Sequence, residues 1–245
     1  MTTMNDWLER SRLVYGDAGI DRLAAATVVI CGVGGVGSFA VEALARSGIG
    51  RLILIDHDKV VESNINRQLV ATTKTMGQAK VEVAAARIAE INPSAKVWAI
   101  ADFYSGDLIS FWQKQQETLP DLPPLAEIDY IVDAIDSLRA KQELIISSHR
   151  QEIPCITALG AGNKLDPSQF QVTDLAKTYN DRLARVLRRE LRKHRIYHHP
   201  VVFSPEIPHK NGSTTIGSTA FVPPVCGMIL AGTVVKNLLA DIIKS

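Results

Sequence analysis

Thiols are scarce in this chain. Its 245 residues include three cysteines, Cys31, Cys155 and Cys226, far apart and without a CxxC pair. That usage argues for a reducing, cytoplasmic compartment and against a structural zinc site. Cys31 and Cys155 sit in strand-like apolar runs and read as core residues. An excess of charge is also missing: a net charge of +1 selects no partner through bulk electrostatics. No unbroken apolar run reaches bilayer length. The apolar stretch near the C-terminus contains Pro223 and Pro224 and is stopped by Lys236, so it reads as a buried or dimer-packing helix, and no membrane is expected. Residues 1–11 are polar and do not read as a signal peptide. Internal repeats and low-complexity tracts are absent. A hydrophobic content of 46% supports a sizeable core, and the length fits one large α/β domain.

Residues 27–68 carry the most information. A β-branched run, 27–31, enters the turn Gly32-Val33-Gly34-Gly35-Val36-Gly37. An amphipathic helix and a second strand, 51–55, follow, and that strand ends in Asp56. This order is a nucleotide-binding βαβ unit. Gly32 and Gly34 lack side chains that would block phosphate oxygens, and Gly37 permits close helix packing. The free N–H groups at the helix start favour an anion. Asp56 lies close to the spacing of about 20 residues at which an acid grips ribose hydroxyls. The polar tail, Asn64-Ile65-Asn66-Arg67-Gln68, fits a triphosphate better than a nicotinamide.

Strands are predicted near 27–31, 51–55, 96–101, 128–133 and 154–158. Helices are predicted over 1–26 and near 36–47, 78–91, 107–117 and 138–150. The alternation predicts an α/β, Rossmann-like, mostly parallel sheet with helices on both faces. Residues 118–126, with three prolines, read as a surface loop. Residues 1–160 form the expected nucleotide-binding core of a single domain. Residues 161–245 form a substrate-side extension: a strand at 169–174, a basic helix at 181–195, an irregular polar stretch at 200–218 and an apolar helix at 225–243.

Ligands of an open α/β sheet lie beyond the carboxyl ends of its strands, where Asp56, Asp58, Asp133 and Asp136 fall. Asp136 is the candidate Mg²⁺ ligand, since Mg²⁺ takes one or two carboxylates plus substrate phosphates; capping the following helix is its alternative role. Asp133 reads as mostly structural. Arg67 and Lys80 are the cations that suit phosphate. In the basic helix, Arg182, Arg185, Arg188, Arg189, Arg192, Lys193 and Arg195 face one nearby acid, Glu190, while Leu183, Leu187 and Leu191 recur at helical spacing and would pack inward. Such density fits phosphate contacts that position RNA without reading its sequence, or a solvated charge run. His194, His198, His199 and His209 show no metal-ligand spacing.

These residues resemble the E1-like adenylating enzymes, the group of MoeB, ThiF and the ubiquitin-activating proteins. The matching elements are Gly32-x-Gly34-Gly35-x-Gly37, Asp56-x-Asp58, Asn64-x-Asn66-Arg67-Gln68, Lys80 and Asp136. The resemblance implies that the glycines and Asp56 hold ATP, that Asn66, Arg67 and Lys80 contact phosphates, and that Asp136 serves Mg²⁺. It also implies a homodimer in which an N-terminal arginine, Arg10 or else Arg12, reaches the partner subunit's site. Residues 169–178, Asp181 with the basic helix, Val202-Phe203-Ser204 and the 217–224 segment resemble the tRNA threonylcarbamoyladenosine dehydratase branch. That branch implies ATP-dependent cyclisation of the threonylcarbamoyl group on adenosine 37 of tRNA, with Arg182, Arg185, Arg188, Arg189, Arg192 and Lys193 on the RNA. Cysteine desulfurase or sulfur-acceptor proteins are further partners implied by relatives. The chain departs from sulfur-transfer relatives: it has no cysteine between Cys155 and Cys226 and no paired CxxC motifs. Three competing readings are activation of a ubiquitin-like or sulfur-carrier C-terminus, an NAD(P)-dependent oxidoreductase, and a non-catalytic ATP- or tRNA-binding module.

Overall fold

The computed structural model describes residues 7–209 and 212–242. Its elements run α1 (Glu9–Ala25), β1 (Thr27–Cys31), α2 (Gly37–Arg46), β2 (Arg51–Ile55), α3 (Lys80–Ile91), β3 (Lys96–Ile100) and α4 (Leu108–Thr118). Then come β4 (Tyr130–Asp133), α5 (Leu138–Arg150), β5 (Cys155–Ala158), β6 (Gln171–Asp174), α6 (Arg182–Lys193), β7 (Pro200–Phe203) and α7 (Val222–Leu238). The strands form one seven-stranded sheet in the order β3-β2-β1-β4-β5-β7-β6. All neighbours are parallel except β6, which runs antiparallel to β7. The expected doubly wound architecture is therefore present.

Strand residues point alternately to the two sheet faces, and both faces are covered. Val28, Ile30, Leu52 and Leu54 pack with Leu44, Ile88, Leu230 and Val234 of α2, α3 and α7. Val29, Cys31, Ile53 and Ile55 pack with Leu108, Trp112 and Leu144 of α4 and α5. A third cluster joins Val201 and Phe203 of β7 to Leu187 and Leu191 of α6. No helix among the described residues is long and apolar enough to cross a membrane.

Three expectations need correction. Residues 200–218 are not irregular throughout. Val201 and Val202 enter the sheet beside β5 and Phe203 pairs with β6, a run too short to stand out between Pro200 and Ser204. The second half thus completes the sheet. The last helix begins at Val222 rather than 225. Pro223 and Pro224 fit its first turn, where an amide donor has no intrahelical partner to lose. The N-terminal helix breaks at Gly16, with φ 71° and ψ 173°. Residues 1–6 of that expected helix, and residue 243 of the last one, lie outside the described residues. Core packing explains α7: at Gly227 it crosses the first turn of α2 so closely that a Cβ would sit 2.2 Å from the Val36 carbonyl oxygen.

A buried polar seam joins β4, β5, α5 and the start of β7. Lys141 Nζ lies 2.9 Å from Asp133 Oδ1, and Thr157 Oγ1 donates to Asp133 Oδ2 at 2.9 Å. The Thr157 proton is thereby engaged, so its oxygen accepts from His199 Nε2, 2.9 Å away. His199 Nδ1 is left to accept from His149 Nε2 at 3.2 Å. Asp133 is structural, as expected. Burial, with the charges of His149 and Lys141 adding, pushes His199 down to about 3. The unfolded chain therefore takes up this proton first. The stabilisation is complete above the ordinary value of 6.5 and declines as pH falls. His199→Gln keeps an N–H for Thr157 and is expected to remove about 2 kcal/mol from the stability difference between pH 7 and pH 5. Urea unfolding of both proteins at the two pH values measures this, and equal pH slopes would contradict it.

Candidate active site

Strand order reverses between β1 and β4, the place where an open α/β sheet presents a crevice. A cleft of about 580 Å³ opens there. The glycine turn after β1, residues 134–136 after β4, residues 56–58 after β2 and residues 158–162 after β5 all line it. Gly32 takes φ 90°, and a side chain there would strike the Ala134 carbonyl at 2.6 Å. A Cβ on Gly37 would sit 1.8 Å from the Gly32 carbonyl oxygen, so Gly37 closes the turn on itself more than it serves helix–sheet packing. Gly34 and Gly35 border the cleft directly. Helix α2 starts without a side-chain cap, which leaves its positive end suited to an anion.

Asp56 braces this turn. Its Oδ2 accepts from Val33 N–H at 2.6 Å and its Oδ1 from Asp58 N–H at 2.8 Å. Lys80 opens α3, is 4% exposed, and reaches into the cleft with Nζ 2.7 Å from Asp58 Oδ2. Asp58 is therefore the counter-ion that holds Lys80 in place. An ammonium has three donors, so two remain for another anion. One Arg67 nitrogen donates to the Ser63 carbonyl at 2.7 Å and to Asn66 Oδ1 at 2.8 Å. The rest of its fork is available at the cleft wall. Gln68 also lines the cleft, and its buried Oε1 has no protein partner. An unmatched buried acceptor costs about 1–3 kcal/mol and calls for water or a ligand.

Asp136 is an exposed carboxylate on the cleft wall. Ser137 caps α5 by accepting from Ala140 N–H, which frees Asp136 from the capping role. Among the described residues it has no protein partner, so its donor set fits a cation shared with phosphate oxygens. Asp56, His57 and Asp58 also bring ligand atoms together, yet the two carboxylates already serve backbone amides and Lys80.

Asn66 does not line the cleft; Asn64 does. The Arg67 and Gln68 amides both donate to the Asn64 carbonyl, at 3.1 and 2.9 Å, so residues 64–68 form a helical turn. Positions three and four apart share a face. Asn64, Arg67 and Gln68 consequently look inward, and Asn66 looks out toward Ser218. Helical spacing within the motif was the available signal. His57 and Phe103 meet edge to face at 4.8 Å on the cleft wall, and no motif announced them. Arg10 and Arg12 do not line the cleft of their own chain; Arg12 pairs with Asp17.

In α6, Ala184, Leu187 and Leu191 are buried, whereas Leu183 is half-buried and touches the cleft. Arg182, Arg185, Arg189, Arg192 and Lys193 are exposed. Arg188 departs from the expected surface array. It donates to the carbonyls of Leu175 and Thr178 and to the Thr178 hydroxyl, stapling the preceding turn to the helix. Glu190 pairs with both Arg189 and Lys193, which leaves Arg182, Arg185 and Arg192 as its less compensated cations. The histidines do not cluster: His198 pairs with Asp174, His209 with Glu206, and His199 belongs to the buried seam.

The model of the ThiF family matches residues 8–244. The chain belongs to the ThiF family. It is 41% identical to the tRNA threonylcarbamoyladenosine dehydratase of Bacillus subtilis, over 95% of this chain and 94% of that one. Its fold superimposes on the E. coli tRNA N6-threonylcarbamoyladenosine dehydratase in complex with AMP with a TM-score of 0.87, at 35% identity over all of both chains. The complex of that E. coli enzyme with ATP gives 0.84, at 35% identity over 99% of both chains.

This ThiF-family chain has no accessible thiol at its site. Cys31 borders the cleft, but it is buried, and burial beside Asp133 raises its pKa well above the ordinary value. Burial also raises Cys155, and it pushes Cys226 up to about 12. Thiolate is the reacting form. A disulfide reagent is expected to label essentially none of the three cysteines in the native protein and all of them in denaturant. A stoichiometric fast-reacting thiol in the native state would reopen a thioester or persulfide route.

Proposed function

We propose that this protein catalyses the ATP-dependent dehydration of N6-threonylcarbamoyladenosine at position 37 of tRNA to its cyclic form. The observation that carries this reading is the convergence of Arg67, Lys80, Gln68 and Asp136 on one cleft beside the glycine turn. Its relatives of nearly full-length similarity carry the same activity in their names. In this reading residues 1–160 hold ATP, with Asp56 on the ribose, and residues 161–245 supply the substrate side.

The first step joins the substrate carboxylate to the α-phosphorus of ATP. The bond to the β,γ-phosphates breaks, and pyrophosphate leaves with the electron pair. Lys80, held by Asp58, and the open fork of Arg67 stand where negative charge grows. One such preorganised donor is worth on the order of 3 kcal/mol. Mg²⁺, held by Asp136 and the phosphates, would supply further charge neutralisation. In the second step the carbamoyl group of the same substrate attacks the activated carbonyl carbon. The ring closes with loss of one proton, and AMP departs with the bond pair. The nucleophile is already attached to the substrate, so the step is intramolecular and the enzyme needs no thiol.

A homodimer in the cytoplasm is part of the proposal, with Arg10, or Arg12 in its place, completing the partner's cleft. Leu13 and Val14 are 85% and 73% exposed, and Phe221, just before α7, and Met228 on it add apolar surface. Sedimentation velocity is expected to give a dimer; a monomer fully active at assay concentration would remove the shared arginine.

The reaction is tested by mass spectrometry of modified tRNA after incubation with the protein, ATP and Mg²⁺. Loss of one water from the modified adenosine is the expected result. Asp136→Ala should lower AMP formation by about a hundredfold or more while the fold is retained. A change of Arg182, Arg185 and Arg192 to Glu should weaken tRNA binding and flatten its salt dependence, with ATP binding intact. Normal turnover by the first variant, or unchanged tRNA affinity of the second at low salt, would remove the corresponding role.

A further inference from the structure

We propose that Asn66 is a positioning residue that ties occupancy of the nucleotide cleft to the loop at 212–221. The inference rests on the adenylation reading above. The Asn66 side-chain amide is engaged at both ends: Oδ1 accepts from Arg67 at 2.8 Å, and Nδ2 donates to the Ser218 carbonyl at 3.0 Å. Arg67 and Ser218 both border the cleft, and Asn66 does not. One neutral amide therefore connects a phosphate-facing cation to the backbone of a loop more than a hundred residues away.

The neighbouring residue of that loop is fastened elsewhere. Gly217 N–H donates to Asn163 Oδ1 at 2.6 Å, and its carbonyl accepts from Asn163 N–H at 2.8 Å. Asn163 follows β5, and Asn66 belongs to the turn between β2 and α3. The loop is thus clipped to the substrate-side wall by two bonds and to the nucleotide-side wall by one. Ile216 and Ser218 border the cleft between those walls, and Ile216 remains 72% exposed. The Asn163 clip is independent of the nucleotide residues. The Asn66 clip shares Arg67 with them. When the free nitrogens of the Arg67 fork hold an anionic oxygen, the nitrogen bonded to Asn66 Oδ1 is fixed in place, and with it the amide that holds the Ser218 carbonyl.

The closed clip keeps water from the acyl-adenylate. With the clip open, water adds to the activated carbonyl carbon, AMP leaves with the bond pair, and the original carboxylate is regenerated without a ring. ATP use then exceeds ring formation.

Two substitutions separate the ends of the amide. Asn66→Asp keeps an acceptor for Arg67 and loses the donor to Ser218; Asn66→Gln keeps both. Hydrogen exchange across residues 213–220, with and without ATP, is the first measurement. ATP is expected to slow exchange in the wild type and in Asn66→Gln, and not in Asn66→Asp. The second is the ratio of AMP to cyclised adenosine with modified tRNA. It is expected to be one in the wild type, near one in Asn66→Gln and well above one in Asn66→Asp. Exchange that ignores ATP in the wild type, or an Asn66→Asp protein with wild-type protection and ratio, would overturn the clip. ATP-dependent protection that Asn66→Asp abolishes, in a protein that forms no ring, would leave the clip standing and remove the dehydratase reading.

Discussion

The site depends on one steric constraint. The chain must turn from β1 into α2 within a space that admits no Cβ at Gly32 or Gly37, because the Ala134 and Gly32 carbonyls fill it. That turn locates the start of α2, and Asp56 fixes its shape by holding the Val33 amide. The neighbours inherit its position. Arg67 packs its aliphatic stem near Gly35, Pro223 of α7 closes the other side, and Lys80 is set by its ion pair with Asp58. A methyl group at Gly37 would therefore displace the wall of the cleft as well as strain a loop.

Around that turn the polar groups divide into two sets. One is buried and paired within itself: Asp133, Lys141, Thr157 and His199 hold β4, β5 and α5 together, and their bonds are directed at each other. Removing one partner from such a set leaves a buried charge or donor without compensation, at about 3–5 kcal/mol for an ion pair. The other set is incompletely matched and faces the cleft: Gln68 Oε1, Asp136, and the remaining donors of Arg67 and Lys80. Asp133 and Asp136 stand three residues apart on the same strand end, yet they belong to different sets. Burial makes one a joint and leaves the other open to a ligand.

Much of this was legible in the sequence, because the strongest signals are local. The strands at 27–31 and 51–55 are short apolar runs with abrupt ends, and their boundaries agree with the structure. The glycine turn and the acid after β2 report a backbone path that few other sequences allow. What escaped depends on contacts between distant segments. β7 is a three-residue apolar run beside a proline, stabilised by β5 and β6 rather than by its own pattern. Arg188 resembles its neighbours in sequence, and only the carbonyls of Leu175 and Thr178 distinguish it. Asn64 and Asn66 occupy the same motif, and the helical turn decides which looks into the cleft. Phe103 and His57 come together because β2 and β3 are neighbours.

The walls of the cleft come from segments far apart in the chain. The glycine turn lies in the first forty residues, and Ile216, Ser218 and Pro223 of the same cleft lie in the last thirty. The cradle and its ceiling are therefore made by different ends of the chain, and they meet where helix α7 lies on α2 and Pro223 reaches Gly35.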